Sequence, residues 1–422
     1  MKQRRLRIPV AVGLALCAVL SASACGSGTP TADGPVTLTF WSGMTGGDKA
    51  AYEAVVKRWN DTHPKIHVDY QLQPWDTIAQ KLPTSLATGS GPDLATPDYN
   101  VATVLKYAKA GTIADLSPAY GSGTNKIETS SIAPTLVQSF TVNGKQYAAP
   151  LNVSTLLLYV NKDLFSKANV AVPTTMDEMR AAAVKLTDKA AGQYGLSLPD
   201  HESTPNWPIL IWADGGDIVG ADSCGKLDDP KTVSAVQSWA DLIVNRGIAA
   251  VGKTGQDSDN LFSAGKSAMQ INGPWAAGAY SNAGINYDVV PVPTGSLGSP
   301  VTAAQTIPIV LAEKSKNKAA AYEFLAWWTG KEAQGLIAKG AGNPPVRTDM
   351  ADDPILKENP LTVKFAGAAS YAKLYLPTVN EFARVDSDVL VPAIGEIERG
   401  KPAAQVLTDA NKQLNTLLGC TK

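Results

Sequence analysis

Histidine is scarce in this 422-residue sequence, which holds only His63, His67 and His201. The first two have the spacing of a helical zinc pair, but Pro64 and the alternating residues after it place them on extended chain with no cysteine or third histidine nearby. No metal site is therefore expected. Cysteine is nearly as rare, at positions 17, 25, 224 and 420, too few for a disulfide-dense scaffold. Neither sign of charge dominates, with 37 Lys+Arg against 38 Asp+Glu, and the basic surplus of a nucleic-acid binder is missing. Beyond the amino terminus no run reaches the ~18 consecutive apolar residues of a membrane span. The Gly-x-Ser-x-Gly elbow and the Gly-x-Gly-x-x-Gly dinucleotide pattern are both absent, and no cofactor is indicated.

What is present begins with a leader. Lys2, Arg4, Arg5 and Arg7 precede an apolar run over 8–20 and the small residues Ser21-Ala22-Ser23-Ala24-Cys25, which reads as a secretory signal over residues 1–24. Its removal leaves 33 basic and 38 acidic residues, a formal net charge of −5, on 398 residues, a length that suits two domains. Ala22-Ser23-Ala24-Cys25 resembles a bacterial lipobox, with Ala22 where Leu is usual; Ala22-x-Ala24 would equally suit ordinary signal peptidase. Acylation of Cys25 would account for the odd thiol and tether the chain to the outer face of the cell membrane. The Gly-, Ser-, Thr- and Pro-rich residues 25–35 would then be a flexible leash. Cys224 and Cys420 would be left to pair, a closure to which the loop-entropy model assigns roughly 4–5 kcal/mol.

Along the chain, strand and helix patterns alternate, the signature of α/β architecture. Residues 36–41 alternate as a strand, and Asp48 is placed to cap a helix carrying Tyr52, Val55, Val56 and Trp59 on one face. A second strand carries Ile66, Val68, Tyr70 and Leu72, and Ile78, Leu82 and Leu86 suggest a helix containing Pro83. Further on, 156–160 reads as a buried strand, Thr175-x-x-Glu178 as a capping box, and Val233, Val236, Ala240, Ile243 and Val244 as a helix face stopped by Gly247. A strand over 307–311, an aromatic helix over 317–329, a loop over 340–345 and a largely helical tail from about residue 373 complete the chain.

One catalytic-type motif matches in full. Residues 247–254 fit the phosphate-loop pattern, which needs a strand before it and a helix after it. Here a helix precedes and residues 255–259 show no apolar periodicity, so Gly247 reads as a helix stop. Paired carboxylates for glycoside hydrolysis require closeness only in space and stay open on sequence grounds. Asp214 and Asp217, flanking Gly215-Gly216, are explained by a turn.

Three tryptophans fall outside helical stripes: Trp41 at a strand end, Trp207 before Pro208 and Trp275 after Gly273-Pro274. Each suits either packing or a sugar platform, in which C–H faces stack on the ring while hydroxyls take hydrogen bonds. With these residues the chain resembles the extracellular solute-binding proteins of sugar ABC importers, the maltose-binding-protein-like type. The shared segments, in order, are Thr39-Phe40-Trp41-Ser42-Gly43, Gly91-Pro92-Asp93, Ala149-Pro150-Leu151, Leu158-Tyr159-Val160-Asn161-Lys162-Asp163, Trp207-Pro208, Asn272-Gly273-Pro274-Trp275 and Gly342-Asn343-Pro344-Pro345-Val346-Arg347.

The resemblance implies a two-lobe, type II periplasmic-binding-protein-like fold with ligand in the cleft, lobe 1 being 36–148 plus 303–350 and lobe 2 being 149–302 plus 351–422. It points to Trp41, Ser42, Asp98, Tyr99 and Asn100 on the first lobe, Asn152, Ser154, Trp207 and Trp275 on the second, and Asn343 and Arg347 in a later loop. Pro97 stands where the maltose binders usually place an aromatic, so maltodextrin specificity does not follow. The implied function is capture of a mono- or oligosaccharide by a monomeric, lipid-anchored receptor and its delivery to an ABC permease, without catalysis. A glycerophosphodiester or another polar metabolite on the same fold, and a secreted glycoside hydrolase, are the competing readings.

Overall fold

The computed structural model describes residues 34–98, 102–201, 205–377, 379 and 381–420. The expected leader, Cys25 and the leash up to residue 33 lie outside these residues, as do Tyr99 and Asn100.

The strand Val36–Ser42 buries Leu38, Phe40 and Ser42 on one face, and the helix Lys49–Thr62 buries Tyr52, Val55, Val56 and Trp59 against it. The chain returns as Ile66–Leu72, parallel to the first strand with Val36 opposite Ile66. After the helix Trp75–Thr88, Leu94–Ala95 adds to the other edge of the first strand, also in parallel. The long strand Thr302–Leu311 joins that edge antiparallel and extends the sheet. A second, three-stranded antiparallel sheet is centred on Leu157–Asn161, flanked by Met269–Asn272 and Tyr287–Val290.

Two main hydrophobic cores form on these sheets. One draws on residues between 38 and 151 and between 307 and 346, with Phe40, Trp59, Phe324 and Trp328 at its centre. The other, apart from Ala102, draws on residues between 156 and 303 and between 375 and 414. A smaller aromatic cluster of Tyr159, Phe262, Tyr280 and Phe365 lies on the second sheet. These are the two lobes.

Two of the three passages between them are Ala149–Thr155 and Thr302–Leu311, which pair antiparallel along most of their length; the third lies between Val346 of the first core and Tyr375 of the second. Ala149 and Leu151 belong to the first core while Leu156 lies in the second; Ala303 lies in the second while Ile307 and Ile309 lie in the first. The register shifts between Ile307 and Pro308, where proline removes a ladder donor. Side chains lock the crossing to its surroundings: the Trp328 indole donates to the Leu151 carbonyl at 2.9 Å, and the Thr155 hydroxyl to the Phe365 carbonyl at 2.6 Å.

The carboxy-terminal helix Ala403–Leu418 returns to the second lobe, where Asn411 and Asn415 accept from the backbone N–H groups of Leu227 and Gly225. A Cβ on Gly225 would come within 2.3 Å of Asn411 Oδ1, so glycine permits this close approach. Beside it Cys224 and Cys420 form a disulfide with Cα atoms 5.6 Å apart.

Several local expectations need correction. Asp48 precedes its helix but its side chain makes no capping hydrogen bond. A helix does follow the phosphate-loop-like segment, Gly255–Ser263, because Thr254 and Asp257 form a capping box that periodicity does not reveal. Trp207 sits in the helix Asn206–Ala213, buried on every face and so without the one-sided stripe that betrays a surface helix. The tail begins with a short strand, Ala372–Leu374, paired to residues 302–304, and Gly340 belongs to the helix Lys331–Ala341.

Because the disulfide ties the last helix to a hairpin almost two hundred residues earlier, Cys420→Ser is expected to destabilise the protein by about 2–5 kcal/mol. Urea denaturation of the variant and wild type checks this, and unchanged midpoints would show that the asparagine contacts alone hold the helix.

Candidate functional site

The crossing strands bring polar side chains to the junction of the lobes: Asn152 and Ser154 from one, Gln305 from the other. They form the floor of a cavity of about 270 Å³. The first lobe supplies residues 43–46, Asp48 and Trp75; the second supplies Asn206, Gln256, Asp259, Gln270, Asn272 and Trp275. Asn152 donates to the Tyr52 hydroxyl at 2.6 Å, and Ser154 accepts from the Asn343 side-chain amide, which ties the floor to the first lobe.

Two indoles face this cavity, each laid on a glycine. Trp75 opens its helix directly after Pro74, and its ring covers Gly43 so closely that a Cβ there would be 2.3 Å from Cδ2. Trp275 folds over Gly273, where a Cβ would be 2.0 Å from Cζ3. Any larger residue at either glycine must push the ring aside. At the rim, a Cβ on Gly47 would be 2.6 Å from the Trp275 carbonyl oxygen, so the lobes approach to backbone contact there.

The charges in the cleft are of one sign. Gln270 and Asn272 project from the same face of their strand and, with the Tyr280 hydroxyl, place three donors on Asp259 Oδ1 at 2.6 to 3.0 Å. Burial nevertheless pushes the Asp259 carboxyl upward, with those hydrogen bonds opposing the shift. Asp48 is 5% exposed, and among the described residues its Oδ2 has no hydrogen-bond partner. Burial pushes its pKa up to about 7.

A second cavity of about 100 Å³ adjoins the first, sharing Pro199, Asn206 and Gln305, and continues past Trp207, Tyr375 and Asp386. The Tyr375 hydroxyl donates to Asp386 at 2.8 Å, and burial raises that carboxyl to about 7. Asp200 pairs with His201 Nδ1 on the same wall. Near Trp207, Glu398 is raised to about 8, first by burial and then by the charge of Asp200. The Trp207 indole N–H only partly offsets this, since it and Glu398 Oε2 do not meet in hydrogen-bond geometry. Among the described residues no lysine or arginine lines either cavity.

Of the residues singled out by sequence, Asn152, Ser154 and Trp275 line the larger cavity and Trp207 the smaller. Trp41 and Ser42 stand behind the wall: the Trp41 indole donates to Gln71 at 2.9 Å, and Ser42 is buried and accepts from the Tyr70 hydroxyl. Asp98 lines neither cavity but lies near enough to Tyr107 and Asp386 to raise both. Asn343 sits beneath Ser154. Arg347, its side chain 6% exposed, spends its guanidinium on Asp349, Glu128 and the Thr329 carbonyl, a clamp within the first lobe. Sequence reasoning missed Trp75, Asp259, Gln270 and Gln305. Trp75 carried a signal, a Pro-Trp pair opening a helix just after a strand; the others come together only through the sheet and the crossing.

The bacterial extracellular solute-binding protein family matches residues 42–335, and the chain belongs to it. The diacetylchitobiose binding protein DasA of Streptomyces coelicolor is 27% identical over 98% of each chain. The maltotriose-binding protein of Pyrococcus abyssi is 25% identical over 83% of this chain and 73% of its own. The GacH receptor of Streptomyces glaucescens, solved unliganded and with acarbose and an acarbose homolog, superposes with a TM-score of 0.81. It is 26% identical over 92% of this chain and all of its own.

The buried acid behind Trp207 makes a pH signature. Native Glu398 keeps its proton to about pH 8, whereas the unfolded carboxyl loses it near 4.5, so the native state binds more protons between these values and stability falls as pH rises through them. Relative to wild type, Glu398→Gln is expected to be more stable at pH 9 than at pH 5, the change being on the order of a few kcal/mol. Melting curves at the two pH values check this; a variant-to-wild-type difference independent of pH would contradict it.

Proposed function

We propose that this solute-binding protein captures a mono- or oligosaccharide outside the cell and hands it intact to an ABC import permease. The observation that carries the reading is the pair of indoles, one from each lobe, held on glycines across a cavity floored by Asn152, Ser154 and Gln305. Sugar rings offer C–H faces to such platforms and hydroxyls to amide and hydroxyl side chains. The names of the relatives agree, since diacetylchitobiose, maltotriose and acarbose are all saccharides or saccharide analogues. A glycerophosphodiester would want a cation, and none of the described lining residues supplies a lysine or arginine.

The lobes, assigned as 36–148 with 303–350 and 149–302 with 351–422, close on the ligand as a monomer. A sugar touching both indoles binds the closed state better and shifts the population toward it. Trp75 and Trp275 are the stacking residues, with Asn152 and Ser154 as polar partners. Trp207 belongs to an extension of the site toward the smaller cavity. Trp41, Ser42, Asp98, Asn343 and Arg347 support the walls rather than touch the sugar.

The leader over 1–24 is removed and Cys25 is acylated, which fixes the receptor to the outer face of the membrane. Intact-mass measurement of the protein recovered from membranes is expected to show a diacyl or triacyl addition at Cys25, and an unmodified Cys25 would remove the anchor.

Titration with a panel of mono-, di- and trisaccharides is expected to change tryptophan fluorescence and raise the melting temperature for at least one sugar, recovered uncleaved. Trp75→Ala and Trp275→Ala are each expected to weaken that sugar about tenfold or more. If no saccharide in the panel shifts either signal, or if it is hydrolysed, the assignment fails.

A further inference from the structure

The described charges that line the cleft are acidic, apart from His201 beside Asp200. Asp48 from the first lobe and Asp259 from the second line one cavity, and Asp200 and Asp386 line its neighbour; no described lining residue is a lysine or arginine. For Asp259 the explanation is internal, because Gln270, Asn272 and Tyr280 satisfy Oδ1. Asp48 is different. It stands at the head of a 14-residue helix yet makes no capping bond, its residue is 95% buried as its 5% exposure states, and no described group donates to its Oδ2. The titratable groups that feel its charge are Tyr52 on its own helix and Tyr70 on the adjoining strand, neither of which supplies positive charge. Lys49, the next residue along, points instead to Glu53 on the exposed face.

A buried carboxylate without a cation or a set of donors is expensive, and a molecule can meet that cost by protonating the acid or by accepting a cation. Asp48 is drawn toward protonation, burial having pushed its pKa up to about 7. A hydroxyl would give the carboxylate one hydrogen bond and leave its negative charge buried, while an ammonium would give a bond between two ions and cancel that charge. The position matters as much as the charge. Asp48 and Trp75 both come from the first lobe and line the same cavity, so a group that reaches Asp48 lies inside the cleft.

We propose that the cleft prefers a sugar bearing a protonated amine to the same sugar with a hydroxyl or acetamide in that place, with Asp48 as the partner of the ammonium. This rests on the saccharide-binding reading and narrows it to amino sugars and related amine-bearing carbohydrates.

The test uses isosteric sugars and the intact protein at pH 7. Chitobiose, with free amines, is titrated calorimetrically beside cellobiose and diacetylchitobiose. Any other neutral sugar that binds in the panel is compared with its 2-amino-2-deoxy counterpart in the same way. The amine-bearing member is expected to bind about tenfold tighter or more than its neutral counterpart. Asp48→Asn, which keeps the shape and removes the charge, should bring the two within about twofold of each other, and its circular dichroism and melting curve verify that it folds. Neutral sugars binding as well as or better than their amines would overturn the preference and leave the saccharide reading standing. An amine preference that survives in Asp48→Asn would overturn the role of Asp48. Binding of no sugar of either kind would remove both readings.

Discussion

Two strands passing each other between two hydrophobic cores hold this molecule together, and the cleft depends on them. Ala149–Thr155 and Thr302–Leu311 carry the chain from one core to the other, and their side chains alternate there: Leu151, Val153 and Ile307 turn to the first core while the polar residues between them line the junction. Asn152, Ser154, Gln305 and Thr306 occupy the stretch, and each polar group must find a partner or face the cavity. The Thr306 hydroxyl donates to the Asn152 carbonyl at 2.7 Å, Asn152 reaches Tyr52, and Ser154 is met by Asn343. A polar floor is thus what a double crossing between two apolar cores produces. The register shift at Pro308 interrupts the ladder beside it, at a natural place for bending.

The walls follow from how each lobe ends its secondary structure against that floor. Strand ends and helix starts converge at the junction, which explains why Trp75 begins a helix and Trp275 precedes one. Both rings would sweep through several rotamers if free, and the glycines beneath them let each lie flat against backbone. Binding then needs less ordering of the platforms. Opposite costs are stored in the acids. Asp48, Asp259 and Asp386 are buried at the junction, and their raised pKa values record the cost of that burial to the charged form. A ligand that satisfies them recovers part of it.

Much of this fold was legible in the sequence, and the reason is periodicity. Tyr52, Val55, Val56 and Trp59 lie on one face of a helix in the structure as their spacing requires, and the Thr175–Glu178 capping box forms. Illegible elements lacked a period: Asn206–Ala213 is apolar all round, and Gly255–Ser263 is announced by its capping box alone. The site was readable only where residue type and a local motif coincided, as at Trp275 after Asn272-Gly273-Pro274. Trp41 misled because a tryptophan at a strand end looks the same whether it faces the cleft or, as here, the neighbouring strand's Gln71. Asp259 was invisible, since its three donors come from a strand and a helix that only the second lobe's folding brings to it. Arg347 illustrates the reverse case, a charged residue in a family loop whose donors are consumed by Asp349, Glu128 and a backbone carbonyl.

The proposed ligand lies between two indoles from opposite lobes. A crystal structure of the protein grown with the tightest-binding sugar of the panel tests this placement most directly. The expected result is an uncleaved sugar with ring faces against Trp75 and Trp275 and hydroxyls on the Asn152–Ser154 floor. Density for the sugar outside this cavity, or within it but stacked on neither indole, would contradict it.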